Sequence, residues 1–176
     1  MKKTINKQYE FEQIIKKSRF ITNIKNVSSE EEAKLFVREI SSKYKDARHN
    51  VYAYVVEGRE KYYDAGEPKG TAGVPLHTVI HQKNLDHFVV VISRYFGGIK
   101  LGSGGLIRAY RGGLLNALEQ VELVDIEDIV SKEIPVTIEN RAKLENKLRS
   151  IQGIDIEVLE DKIIVSGKKD IVDEIK

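Results

Sequence analysis

Within twenty residues, Arg94 to Gly113, the chain holds seven of its 13 glycines: Gly97, Gly98, Gly102, Gly104, Gly105, Gly112 and Gly113. An apolar strand pattern, HFVVVIS from His87 to Ser93, runs into this stretch. Leu106, Ile107, Tyr110, Leu114, Leu115 and Leu118 recur beyond it at helical spacing, so the run is a junction between a strand and a helix. Glycine at such a junction permits positive φ and a close approach of backbone to ligand or chain. Gly98 and Gly102 are expected to hold conformations closed to other residues, and Ser103 stands where it can cap the helix. Arg94, Lys100, Arg108 and Arg111 are interleaved with Tyr95, Phe96 and Tyr110, with no acidic residue among them. That mixture suits phosphates and stacked bases.

The run from Gly97 to Ser103 has the form G-x-x-x-x-G-S, and without a Lys before the Ser it is not a P-loop. A strand, a glycine loop and a helix N-terminus still bind phosphate through backbone N–H groups, which marks Gly102, Ser103 and Gly104. The same glycines serve equally to pack the helix tightly on a sheet. Arg108 and Arg111 are three apart and share a helix face, and of Tyr95 and Phe96 strand alternation leaves at most one as a stacking platform.

A second run, YYDAGEPKGTAGVP from Tyr62 to Pro75, carries Gly66, Gly70 and Gly73 with two of the three prolines. Asp64 and Glu67 flank Gly66 beside Lys69. They fit either a Mg²⁺ or acid/base pair or a turn in which Asp64 accepts local backbone N–H groups. His77 and His81 lie four apart, but the HExxH glutamate is lacking and no third ligand is apparent, so no metal site is expected.

Read in order, ARHNVYAYVV (Ala47 to Val56), DAGEPKGTAGVP (Asp64 to Pro75) and RYFGGIKLGSGGLIRAY (Arg94 to Tyr110) resemble the signature of the IMPACT family in its bacterial YigZ-type branch. The resemblance marks His49, Asp64, Glu67, Lys69, Gly70 and Thr71 as signature residues. Ala65 departs from the second acidic residue usual there. For residues 1–124 the resemblance implies a βαβ fold with a left-handed crossover, as in a small-subunit ribosomal protein and the fourth domain of elongation factor G. For 125–176 it implies a ferredoxin-like plait like the fifth domain of that factor. The fold class expected is therefore α+β.

Periodicity agrees in outline. Strands are expected over Phe20 to Val27, His49 to Glu57 and His87 to Ser93. A helix follows a capping box at Ser29 and Glu32, and Pro75 suits the first turn of another. After Gln120 glycine disappears, and Lys132 to Ile138, Asn140 to Ile151, Ile154 to Leu159, Lys162 to Ser166 and Asp170 onward give the order βαββα. Family members normally continue, whereas this pattern runs out inside the second helix. The expectation is a shortened sequence or a plait lacking its fourth strand, with an exposed edge.

With 41% hydrophobic residues the 176-residue chain supports real cores, and a net charge of +2 makes any electrostatic footprint local. Cys is absent, which excludes disulfides, thiol nucleophiles and cysteine-ligated zinc. No segment spans a bilayer and the polar start is no signal peptide, so the location expected is the cytoplasm. The partner expected is RNA or the ribosome, with modulation of translation and neither catalysis nor cofactor. Two alternatives stay open: a nucleotide-binding enzyme using the Gly102 to Gly105 loop, and a protein-binding adaptor.

Overall fold

The computed structural model describes residues 2–126 and 129–175. Its larger sheet has five antiparallel strands in the order β2-β3-β6-β4-β5: β2 (Tyr9–Ile15), β3 (Ser18–Asn26), β4 (His49–Val56), β5 (Arg59–Tyr63) and β6 (Phe88–Tyr95). Helix α1 (Glu30–Lys43) joins β3 to β4. Because both strands pair antiparallel with β6, they run parallel to each other, and β3-α1-β4 is a crossover unit around β6.

The sheet is covered on both faces. Val51, Ala53 and Val55 of β4 and Phe88, Val90 and Ile92 of β6 pack with α2 (Gly73–Gln82) and α3 (Gly102–Glu119). Their neighbours Tyr54, Val56, Val89 and Val91 pack with Phe36 and Ile40 of α1. The two-sided burial expected of the 49–57 segment follows from this sandwiching. Ser29 caps α1 by accepting the Glu32 N–H at 3.1 Å. The Glu32 carboxylate reaches back to Ser28 N–H and hydroxyl, one residue before the reciprocal partner of a standard capping box.

Four strands go beyond the expected pattern, β2 of the polar lead among them. The polar lead contains β1 (Lys3–Ile5), which pairs with β7 (Leu123–Asp125) and ties the N-terminus to the exit of α3. β5 is exposed along its whole length and so shows no alternation to read.

Residues 129–168 form a second antiparallel sheet in the order β8-β10-β9: β8 (Ile129–Pro135), β9 (Ile154–Val158) and β10 (Lys162–Lys168). With α4 (Arg141–Arg149) and α5 (Lys169–Val172) it has its own core around Leu148, Ile163, Val165 and Val172. This order is that of a ferredoxin-like plait through its third strand and second helix. The chain is α+β. Among the described residues no helix is long and apolar enough to cross a membrane.

Candidate nucleic-acid interface

The glycine-rich junction is built where β6 leaves the sheet. Gly97 has no room for a side chain, since a Cβ there would lie 2.0 Å from the Lys17 carbonyl oxygen in the β2–β3 turn. Gly98 and Gly102 hold φ of +89° and +76°, as expected. Gly102 turns the chain into α3 one residue ahead of Ser103, so the Ser103 hydroxyl falls inside the first turn and caps nothing. The N-cap position is Leu101, without a side-chain bond, and no acidic residue stands in the first turn. The helix therefore presents N–H groups that no side chain satisfies, at the positive end of its dipole.

Cations gather around this end. A Cβ at Gly104 would lie 3.3 Å from Arg108 Nη1, so the absence of side chains at Gly104 and Gly105 lets the guanidinium fold back toward the helix N-terminus. Lys16 lines the same shallow pocket, together with Ile15, Leu101, Gly105, Arg108 and Ala109. Lys16 and Lys17 form the two-residue β2–β3 turn at φ of +48° and +66°. Such turns favour Asn and Gly, so two lysines there are held at a conformational cost of about 1–2 kcal/mol each. Lys100, Arg108 and Arg111 are exposed, as are Gly102, Ser103 and Gly104.

Arg94 is not part of this surface. It is the last inward residue of β6 on the α2/α3 face and is buried. Its Nε and Nη2 donate to the two oxygens of Glu67 at 2.7 and 2.8 Å, and Nη1 donates to Ser18 Oγ at 3.2 Å. Burial works against the Arg94 charge, but the hydrogen bonds and charge of Glu67 outweigh it and hold the group above its usual range. Tyr110 donates its hydroxyl to the same carboxylate, and His49 Nε2 stands 3.2 Å from it. Burial, and then that bond, push the Tyr110 hydroxyl well above its ordinary value.

Tyr95 points to the opposite face of the sheet. It donates to Asp46 at 2.7 Å beside Tyr44, and burial followed by that bond moves its hydroxyl up to about 12. Of these two neighbours the exposed aromatic is Phe96, which lies against the guanidinium groups of Arg48 and Arg94.

The signature loop is structural in its contacts. Asp64 Oδ2 accepts from Gly70 N–H at 3.0 Å, and Oδ1 accepts from Ala72 and Gly73 N–H at 3.2 and 2.9 Å, which anchors the start of α2. His49 Nδ1–H donates to the Ala65 carbonyl at 2.7 Å. Thr71 folds back onto the Pro68 carbonyl at 2.5 Å, Gly70 takes φ of +79°, and Lys69 is exposed. With both oxygens of Glu67 and of Asp64 taken up by protein donors, the pair is not arranged to hold Mg²⁺. The turn reading of Asp64 describes its contacts.

Sequence reasoning misses Ser18 and Tyr110 as partners of Arg94, because nothing local links residues so far apart in the chain. It also misses Glu60 of β5, which meets His77 and His81 of α2. The carboxylate absent from the local pattern comes from β5, a strand with no periodic signal.

The profile of the Impact N-terminal domain matches residues 16–118. The IMPACT family member YvyE of Bacillus subtilis is 40% identical over 152 residues, covering 85% of this chain and 70% of that protein. The Escherichia coli member YigZ is 41% identical over 112 residues, covering 61% of this chain and only 55% of that protein. A solved structure titled as a hypothetical protein superposes at a TM-score of 0.68 with 28% identity, covering 97% of this chain and 87% of that one. On a match that spans more than half its length and both glycine-rich runs, the chain belongs to the IMPACT family.

Proposed function

We propose that the protein binds RNA phosphates, on free RNA or on the ribosome, through the β2–β3 turn and the N-terminal half of α3, and thereby modulates translation without catalysis. The observation that carries this reading is the Arg108 guanidinium folded over Gly104 and Gly105 beside an uncapped helix end, with Lys16 across the same pocket. Lys17, Lys100 and Arg111 extend the positive surface, and Phe96 adds an exposed aromatic ring beside Arg48. Membership of the IMPACT family turns a phosphate-binding surface toward translation. Division of the chain near residue 124 into an Impact-type domain and a plait belongs to the same reading.

A protein-binding role has its own support in the exposed Ile14, Phe96, Ile99 and Ile107, which surround the same junction. The nucleotide-enzyme reading is weakened by the internal engagement of Asp64 and Glu67.

Titration of a fluorescent RNA and cosedimentation with ribosomes test the proposal. Affinity is expected to fall about tenfold or more between low and physiological salt, and Arg108→Ala and Lys100→Ala to weaken binding alike across sequences. Absence of binding to RNA and ribosomes at low salt would overturn it. Salt-insensitive capture of a protein, lost in Ile107→Asp, would favour the adaptor.

A further inference from the structure

His77 and His81 lie four apart on α2 and so present their rings on one face, and Glu60 reaches them from the edge strand β5. Glu60 Oε2 is 3.0 Å from His77 Nε2 and 2.6 Å from His81 Nε2, and the two Nε2 atoms are 3.1 Å apart. Protons alone do not satisfy this triangle. An exposed glutamate is ionised near neutral pH and only accepts, so each Nε2 needs a hydrogen to bond it. Two N–H groups then face each other across the third side.

A cation replaces all three conflicting contacts at once, because both Nε2 atoms and the carboxylate oxygen converge within 3.1 Å of one another. In a tetrahedral zinc site, bonds of about 2.0–2.1 Å place neighbouring ligand atoms about 3.3 Å apart. The observed triangle is slightly tighter, and a small opening of side chains that are 25% (His77), 36% (Glu60) and 48% (His81) exposed reaches that spacing. The two nitrogen donors select a first-row transition ion over Mg²⁺ or Ca²⁺. Three protein ligands on an open edge leave at least one position to solvent or a ligand group.

We propose that Glu60, His77 and His81 form a binding site for a divalent transition metal, with Zn²⁺ the best fit, that ties β5 to α2 and keeps an open coordination position. The site lies on elements outside the basic surface and is independent of RNA binding.

Calorimetric titration of Zn²⁺ into the full chain tests it, with the Co²⁺ absorption spectrum as a report on coordination. One Zn²⁺ per chain is expected, together with a rise in melting temperature that a chelator reverses. His77→Ala and His81→Ala should each weaken binding at least about tenfold, and Glu60→Gln, which preserves size, should weaken it too. His87→Ala is the control, since His87 pairs with Val27 and Glu57 elsewhere. Melting of each metal-free variant near the wild-type temperature establishes that it is folded. Failure of the wild type to bind Zn²⁺ at millimolar concentration would overturn the proposal. So would undiminished affinity in both histidine variants.

Discussion

Glu67 and Glu60 sit on the same stretch of chain and are each approached by nitrogen donors, yet they live under opposite physics. Glu67 is buried, three donors from β6 and α3 occupy both of its oxygens, and His49 Nε2 of β4 stands 3.2 Å away. Glu60 is exposed on an edge strand and meets two imidazoles that compete for one oxygen. In the interior an ionised group persists only when fully partnered, so the Glu67 network is complete and closed to ligands. At the surface water tolerates an incomplete set, and the incompleteness is what gives Glu60, His77 and His81 room for a cation. The comparison teaches that a conspicuous signature and an available site need not coincide.

The largest effect expected is at the buried pair. Glu67→Ala leaves the Arg94 guanidinium buried without its carboxylate and should cost about 3–5 kcal/mol by urea denaturation. Arg94→Lys should also destabilise, because an ammonium does not reproduce the bidentate contact. A cost under about 1 kcal/mol for Glu67→Ala would erase the contrast with Glu60.

Next comes the glycine junction, where backbone rather than charge sets the cost. Gly97→Ala drives a methyl into the Lys17 carbonyl and should destabilise by about 1–3 kcal/mol or more. Gly102→Ala meets no neighbour within 4 Å and carries only the cost of φ +76°, about 1–2 kcal/mol. Thermal melts that rank the two in the reverse order would place the constraint in the dihedral rather than in the close approach.

Smaller again is the apo surface triad. Without metal, Glu60→Gln should change stability by less than about 1 kcal/mol, the scale of exposed pairs, measured in chelator. A larger loss would mean that Glu60 is structural in the way Glu67 is.

The smallest effect is a matter of pH at the junction of the two sheets. Asp155 accepts the Gln8 N–H at 2.9 Å, and burial holds its carboxyl above the usual value despite Lys25 and Lys7 nearby. A carboxyl raised on folding binds its proton more tightly in the native state, so its ionisation lowers stability as pH rises through the native pKa. Asp155→Asn should therefore melt slightly higher than wild type at neutral pH. That difference should shrink below the ordinary aspartate range, and a constant gap across pH would rule out ionisation as its cause.

Much of the fold is legible in the sequence because it rests on local rules. The α1 cap at Ser29, the two-faced strand at 49–56, the 88–95 strand and the positive φ of Gly98 and Gly102 all follow from spacing and residue type. β1 and β5 are not legible, since the first is too short for a period and the second has every residue exposed, while β2, where Tyr9 and Phe11 alternate with Glu10 and Glu12, goes unread in the polar lead. The basic run reads as one set in sequence, but strand alternation divides it. Arg94 turns inward, Tyr95 turns to the α1 face, and Lys100, Arg108 and Arg111 beyond the strand are exposed.

The sequence by itself determined the helices and central strands, the glycine-dependent junction and membership of the IMPACT family, because these depend on residues close in the chain. Tertiary structure alone decided which charges face water. Whether an arginine binds phosphate or a buried glutamate, and whether two histidines gain a third ligand, depends on strand order. That order brings Ser18, Glu67, Arg94 and Tyr110 to one point and Glu60, His77 and His81 to another.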